Sequence, residues 1–338
     1  MEPKNIKKIG VLTSGGDAPG MNAAIRAVVM TAAAQGIEVI GFKHGFNGIF
    51  DREFQCLVPK DVHHIIQQGG TLLKSARCQQ LLQAAGPKLA GTELNALGID
   101  ALIVIGGDGS FRGCQAIAPY FHGQIVGIPG TIDNDVDGTD FTIGFATALD
   151  TALDAIDKIR DTADAFERIF LVELMGRHSG YIALSAGIAA GAEQIICPEF
   201  GRLQPGDLRS VITPIQHAQL LLGKSSYIIV VAENSYPGGT TALADELSKA
   251  IGIECRACIL GHIQRGGTPV AYDRYLATLF GVKAFELVEK GEFGKMVSFK
   301  NNDFVAVDLK DATAEYKAVD VNSFAIKAAK SIDISFGD

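Results

Sequence analysis

Continuous apolar runs of about six residues alternate with amphipathic stretches of about ten to twenty along most of this 338-residue chain, and few folds admit that pattern. The runs are Ile6–Leu12, Glu38–Phe42, Ala101–Ile105, Gln124–Ile128, Arg168–Leu174, Gln194–Ile196, Ser226–Ala232 and Glu254–Leu260. Strands apolar throughout, rather than at every second position, are covered on both faces, and the intervening helices supply the cover. The clearest helix is predicted over Phe145–Ala163. There Leu149, Ala152, Leu153, Ile156 and Ile159 share one face, while Asp150, Asp157, Lys158 and Asp161 lie largely on the other. The class is therefore α/β, with mostly parallel sheets in three-layer α/β/α domains, and the length fits two of them. The larger is expected over 1–143 plus 263–312 and the smaller over 144–262 plus 313–338. The helix after Gly144 carries the chain across, and the glycine-rich His262–Gly267 segment marks its return.

In such folds ligands bind beyond the carboxyl ends of the strands, and every chemistry-bearing motif falls at such an end. Thr13-Ser-Gly-Gly-Asp-Ala-Pro-Gly20 leads into a helix at about Met21. Glycines for close backbone approach and a helix N-terminus suit an anion. Ile103-Val-Ile-Gly-Gly-Asp-Gly-Ser110 breaks from an apolar run into a loop with the same properties plus Asp108, a carboxylate suited to magnesium. Pro129-Gly-Thr-Ile-Asp-Asn-Asp135 delivers Thr131, Asp133 and Asp135 within five positions. In extended backbone Asp133 and Asp135 would share a face, and a carboxylate there can take the proton from an attacking hydroxyl. Together these segments read as phosphoryl-transfer chemistry.

With a net charge of −8, the chain is a poor candidate for a nucleic-acid binder or a basic protein of the membrane surface. No apolar stretch reaches the roughly 18 residues of a membrane span. The start of the chain lacks a signal-peptide core, and the six cysteines are scattered, so a cytoplasmic location is expected. Cys255 and Cys258 have CxxC spacing, but on a strand an offset of three turns them to opposite faces. No second CxxC completes a zinc site, and they read as ordinary strand cysteines. Phosphate recognition in an acidic chain falls to placed arginines, and Arg77, Arg168, Arg177, Arg256 and Arg265 all adjoin glycine-rich or strand-end segments.

Five blocks in this order resemble the phosphofructokinase family: Leu12–Arg26, Gly106–Ser110, Pro129–Asp135, Met175–Arg177 and Gly261–Gly267. The resemblance runs from Lys7 to about Lys290. It implies two Rossmann-like domains, the larger binding nucleotide and the smaller binding sugar phosphate. It also implies transfer of the γ-phosphoryl of MgATP to the 1-hydroxyl of fructose 6-phosphate. By resemblance, Asp133 is the general base with Thr131 beside it and Asp135 in the same acidic turn, and Asp108 is the Mg2+-linked carboxylate. Gly16, Arg77, Cys78, Gly107, Gly109 and Ser110 contact nucleotide. Arg177 neutralises the transferring phosphoryl, and Met175, Gly176 and Glu233 meet the sugar. Arg168, Arg256, His262 and Arg265 form the 6-phosphate pocket. In related enzymes Arg168 and Arg256 reach it from a neighbouring subunit, which implies a homotetramer.

Pyrophosphate-using relatives carry Asp and Lys where this chain has Gly109 and Gly130. Glycine leaves open the space that an ATP α-phosphate needs, so ATP is the expected donor. The alternatives are a pyrophosphate-dependent enzyme, another kinase with a Gly-Gly-Asp-Gly loop, and a silent nucleotide- or sugar-phosphate-binding regulatory subunit. An ADP or phosphoenolpyruvate effector site is implied at Arg26, Arg160, Glu193 and Lys224. Met30 stands where related bacterial enzymes have a second arginine, and His64 and Ser225 depart as well. Losing a cation that faces an effector phosphate weakens binding by about 1–3 kcal/mol.

Overall fold

The apolar runs assemble into two separate sheets in a computed structural model that describes residues 6–222 and 226–337. In chain order the elements are β1 (Lys8–Thr13), α1 (Met21–Ala34), β2 (Glu38–Phe42), α2 (Asn47–Phe50), β3 (Phe54–Leu57), α3 (Gly86–Ala96), β4 (Ala101–Gly106), α4 (Asp108–Ile117) and β5 (Gln124–Pro129). They continue with α5 (Phe145–Phe166), β6 (Ile169–Leu174), α6 (Tyr181–Ala189), β7 (Gln194–Ile196), α7 (Arg209–Leu222), β8 (Tyr227–Ala232), α8 (Gly239–Ile251) and β9 (Cys255–Ile259). Last come α9 (Ala271–Lys290), β10 (Lys295–Lys300), β11 (Asp303–Asp308), α10 (Leu309–Ala312) and α11 (Phe324–Ser331).

Unit 1 comprises Met1–Ile132, Val136–Thr147 and Arg265–Tyr316. Its seven-stranded sheet has the order β11-β10-β5-β4-β1-β2-β3. The β1–β2, β1–β4, β4–β5 and β5–β10 pairs are parallel, while β2–β3 and β10–β11 are antiparallel. From β1 the chain goes to β2 on one side and later to β4 on the other. Strand order therefore reverses at β1/β4, the place where such sheets open a binding crevice. β4 and β5 are buried at every residue, which is why their sequences carry no alternation.

Unit 2 comprises Asp133–Asp135, Ala148–Gln264 and Lys317–Asp338. Its four-stranded sheet, order β7-β8-β6-β9, is parallel throughout. A separate apolar core of Leu171, Val211, Ile215, Ile229, Leu243 and Leu247 fills one face. The α/β class and its mostly parallel sheets are as expected. α5 runs three residues beyond its expected end, with Ala152 and Ile156 buried and Asp150, Asp157, Lys158 and Asp161 exposed. Cys255 is buried on β9, Cys258 is half-buried, and both thiols are free.

Three strands are missing from the sequence reading: β3, β10 and β11. β3 is a four-residue edge strand with one buried residue. β10 and β11 form a hairpin through Asn301 and Asn302, both left-handed at φ 52° and 63°. Asparagine tolerates that region, and a two-residue turn of this hand matches strand twist. The pair Asn301-Asn302 between two apolar segments is the signal from which the hairpin is readable.

The N-terminus of α5 is capped from a distance. Asp273, on α9 and fully buried, accepts the backbone N–H groups of Gly144 (2.9 Å) and Thr147 (2.7 Å) and the Thr147 hydroxyl. Burial pushes its carboxyl above the ordinary carboxylate range, opposed by these donors, the Thr147 hydroxyl first. Asp273→Ala is expected to cost about 1–3 kcal/mol, the penalty for orphaning buried donors. Thermal unfolding checks it, and an unchanged midpoint would remove the cap's role.

Candidate active site

In unit 1 the loops after β1, β4 and β5, three adjacent strands, meet at the carboxyl edge. The Ser14 N–H donates to the Ile105 carbonyl (2.9 Å), and the Gly130 N–H to that of Gly106 (2.9 Å). Gly15 is left-handed at φ 87°, and its carbonyl accepts the Ser75 hydroxyl at 2.6 Å. A Cβ on Gly16 would fall 2.4 Å from Arg265 Nη1, and the same nitrogen donates to the Asp17 carbonyl at 3.3 Å. Arg265, assigned by resemblance to the sugar's 6-phosphate, thus lies against the first phosphate loop.

α4 starts at Asp108, directly after the extended Gly107, so its first-turn amides open beside this loop. The Asp108 carboxylate is buried. Its Oδ2 accepts Arg112 Nε at 2.9 Å, and Arg112 also donates to the Thr313 carbonyl at 2.7 Å. Asp108 Oδ1 is buried with no hydrogen-bond partner among the described residues. A buried carboxylate oxygen without a donor, at a helix N-terminus, fits a hard cation. Among the described residues no three Asp, Glu, His or Cys side chains cluster as a metal cage. A Cβ on Gly109 would meet nothing within 4 Å, whereas one on Gly107 would touch Thr131 at 3.6 Å. Ser110 and Thr131 are buried, Arg77 is exposed, and Cys78 is half-buried with its thiol pushed up by burial.

The acidic turn differs from the extended backbone expected for it. Asn134 is left-handed at φ 50°, so Asp133 and Asp135 do not follow the i, i+2 rule of a strand. Asp133, Asn134 and Asp135 are 5%, 2% and 3% exposed.

In unit 2 the loops after β6, β8 and β9 again share one edge. Arg177 is exposed and left-handed at φ 57°, a conformation that costs a non-glycine residue about 1–3 kcal/mol unless its surroundings fix it. They do. Glu233 Oε1 accepts the N–H groups of Gly176 (3.2 Å) and Arg177 (2.6 Å). Asn234 Nδ2 donates to the Arg177 carbonyl at 3.3 Å. Gln264 Oε1, on a side chain with no exposure, accepts the Met175 N–H at 2.8 Å. Gln264 lies inside the Gly261–Gly267 block, and its position between His262 and Arg265 is the available signal.

The remaining phosphate candidates divide. Arg168 and Arg256 are brought together on neighbouring strands by Glu254, at 2.8 Å and 2.5 Å. They stand at the amino ends of β6 and β9, whereas Met175, Glu233 and His262 follow the carboxyl ends. β6 has six residues, so the two groups are separated by roughly 20 Å of strand. Within unit 2 the two groups therefore lie at opposite edges of the sheet.

Of the effector candidates, Arg160 and Glu193 pair with each other at 3.2 Å. Arg160 also donates to the Ala190 and Gly191 carbonyls, and Glu193 Oε2 accepts the Ile228 N–H. Arg26 is half-buried on α1, with Met30 one turn further along. His64 stacks on His63 with ring centroids 5.0 Å apart. Lys224 and Ser225 lie outside the described residues.

The phosphofructokinase family model matches residues 8–288. A Thermus thermophilus relative named ATP-dependent 6-phosphofructokinase 1 is 49% identical over 314 residues, covering 93% of this chain and 96% of the relative. A Clostridium botulinum relative named ATP-dependent 6-phosphofructokinase is 46% identical over 320 residues, covering 94% of this chain and 98% of the relative. Among solved structures, phosphofructokinase from Saccharomyces cerevisiae aligns with a TM-score of 0.83 at 35% identity. It covers 97% of this chain and 47% of the yeast chain, so this chain spans about half of that longer one. With a glycine-lined, carboxylate-bearing phosphate edge in one unit and a latched Met175–Arg177 loop in the other, this chain belongs to the phosphofructokinase family.

Proposed function

We propose that this chain transfers the γ-phosphoryl group of MgATP to the 1-hydroxyl of fructose 6-phosphate, giving fructose 1,6-bisphosphate and ADP, the committed phosphorylation of glycolysis. The observation that carries this reading is Asp108, whose buried Oδ1 has no partner among the described residues at the start of α4, beside the open Gly109 position. That is the provision a metal-bound triphosphate needs. The names of both relatives above specify ATP.

In this reading unit 1 holds the nucleotide through Gly16, Arg77, Cys78, Gly107, Gly109 and Ser110. Asp108 would hold Mg2+, which when bound neutralises phosphate charge. Unit 2 holds the sugar through Met175, Gly176, Glu233 and His262. Asp133 takes the proton from the 1-hydroxyl as that oxygen bonds to the γ-phosphorus and the bond to the β–γ bridging oxygen breaks, with ADP leaving. Asp135 completes the acidic turn. Arg177 and Thr131 meet the charge on the transferring group, a task for positioned donors rather than covalent chemistry. Arg265, which donates to the Asp17 carbonyl, belongs in the same reading to the pocket for the sugar's 6-phosphate.

The roughly 20 Å strand separation of Arg168 and Arg256 from the sugar loops supports a homotetramer in which one subunit completes its neighbour's 6-phosphate pocket. Mixing Asp133→Ser with Arg256→Ala subunits, each nearly inactive alone, is then expected to restore turnover. No recovery on subunit exchange would place each pocket within one chain. ADP or phosphoenolpyruvate binds, in the same reading, between subunits, with Arg26, Arg160, Glu193 and Lys224 as the implied contacts, and the enzyme works in the cytoplasm.

The primary test is a coupled assay with fructose 6-phosphate and magnesium, comparing ATP with pyrophosphate and repeated with ADP and phosphoenolpyruvate. Turnover with ATP alone is expected. Turnover with pyrophosphate alone would overturn the donor assignment and keep the acceptor. No turnover with either would favour a silent binding subunit.

A further inference from the structure

The family match ends at residue 288, yet the chain beyond it reaches the acidic turn. Val136 pairs with Tyr316 in an isolated antiparallel bridge. One residue along, the Lys317 N–H donates to the Asp135 carbonyl at 3.1 Å. The tail is then anchored. The Tyr181 hydroxyl donates to the Ala318 carbonyl at 3.1 Å. The Val319 N–H donates at 3.1 Å to Glu199 Oε1, which also accepts the Gly180 N–H at 2.9 Å, at the start of α6. Further on, Ser335 joins the unit 2 sheet beside β7, with the Ile195 N–H donating to its carbonyl (2.9 Å) and its own N–H donating to the Glu193 carbonyl (3.1 Å). Val319, Ile326, Ala329, Ile334 and Phe336 are buried, so the tail is packed at both ends.

We propose that Tyr316–Val319 is a strap that positions the Asp133–Asp135 turn for catalysis, with the Lys317 backbone N–H as its point of contact. Asn134 is left-handed, a region that asparagine tolerates without being confined to it, so contacts from outside the turn decide how firmly it is held. A buried carbonyl such as that of Asp135 needs a donor, and Lys317 supplies it. Two consecutive residues at the end of the turn meet two consecutive residues of the tail, which fixes the direction in which the turn leaves β5. The Lys317 ammonium stands 4.8 Å over the Tyr181 ring. The contact at Asp135 is a main-chain one, which every residue but proline can supply.

The strap rests on the reading of Asp133 as the base, and one set of variants separates the two. Lys317→Pro removes the N–H, Lys317→Ala keeps it, and Tyr181→Phe loosens the Ala318 anchor without touching the backbone. Lys317→Pro is expected to lower kcat about 10- to 100-fold, the scale of a misplaced catalytic group. The acid limb of its pH profile should move, and the KM for ATP should be unchanged. Tyr181→Phe should show a smaller loss of the same kind, and Lys317→Ala should keep the parent kcat. Parent kcat in Lys317→Pro, equal damage in Lys317→Ala, or parallel loss of both substrates' affinities with a lowered thermal midpoint would each overturn the strap. If Asp133→Ser in the same series retains turnover, the base assignment has failed instead. Hydrogen exchange over residues 131–138 then decides the strap directly: faster exchange in Lys317→Pro upholds it, and unchanged exchange overturns it.

Discussion

Asp133→Ser is expected to lower kcat by at least about 10²-fold, the contribution typical of a positioned base, while a non-hydrolysable ATP analogue binds as before. Asp133 is 5% exposed, in a turn whose left-handed Asn134 is held by its surroundings. A hydroxyl there is smaller, keeps a polar atom at the site and removes only the proton acceptor. The low-pH limb of kcat/KM, which reports protonation of an essential base, should disappear with it. Steady-state kinetics with calorimetry of the analogue separates the two effects. Parent kcat in the variant would sink the assignment of Asp133, and lost analogue affinity would show a nucleotide-binding role instead.

Gly109→Asp should all but abolish ATP-dependent turnover without unfolding the chain. A Cβ at this position meets nothing within 4 Å, and the backbone is not left-handed there, so the protein accommodates the side chain. The nucleotide does not. A carboxylate about 4 Å from a phosphate oxygen, at an effective dielectric near 20, is repelled by about 4 kcal/mol. That is about 10³-fold in affinity. Gly130→Lys is the less clean companion, because its Cβ would lie 3.0 Å from Ile105 Cγ2 and 3.2 Å from Met21 Cε, so packing strain would add to loss of the site. The KM for ATP in Gly109→Asp, beside an unchanged thermal midpoint, reads the electrostatic effect alone. An unaltered KM would move the α-phosphate away from α4.

Arg168 and Arg256 show where legibility ran out. Both adjoin strands and both are arginine, which is all a phosphate pocket asks of a sequence. Which end of a strand a residue occupies is visible once the strand is bounded. Whether that end faces the ligand of its own chain is not, and Glu254, which holds both guanidinium groups, carries no motif. The acidic turn failed differently. Asp133 and Asp135 were legible as a pair, but the extended backbone that would align them depended on Asn134, and asparagine is the non-glycine residue that most readily leaves it.

The elements and their chemistry follow from local demands on the residues. Strands buried on both faces need uninterrupted apolar runs, and phosphate loops need glycine where no Cβ fits. Both demands are local, so β4, β5 and the Gly106–Ser110 and Pro129–Asp135 loops could be read directly. The tertiary structure alone decided the long-range holds: Asp273 on the start of α5, Gln264 on Met175, Arg265 on the Gly16 loop and the Lys317 amide on Asp135. Each joins residues roughly ninety or more positions apart through one to three hydrogen bonds, and in the last the donor is a main-chain N–H that almost any residue supplies. Spacing and composition have no purchase on such contacts, because the partner is fixed by where the sheets bring the chain back and not by what the chain is made of.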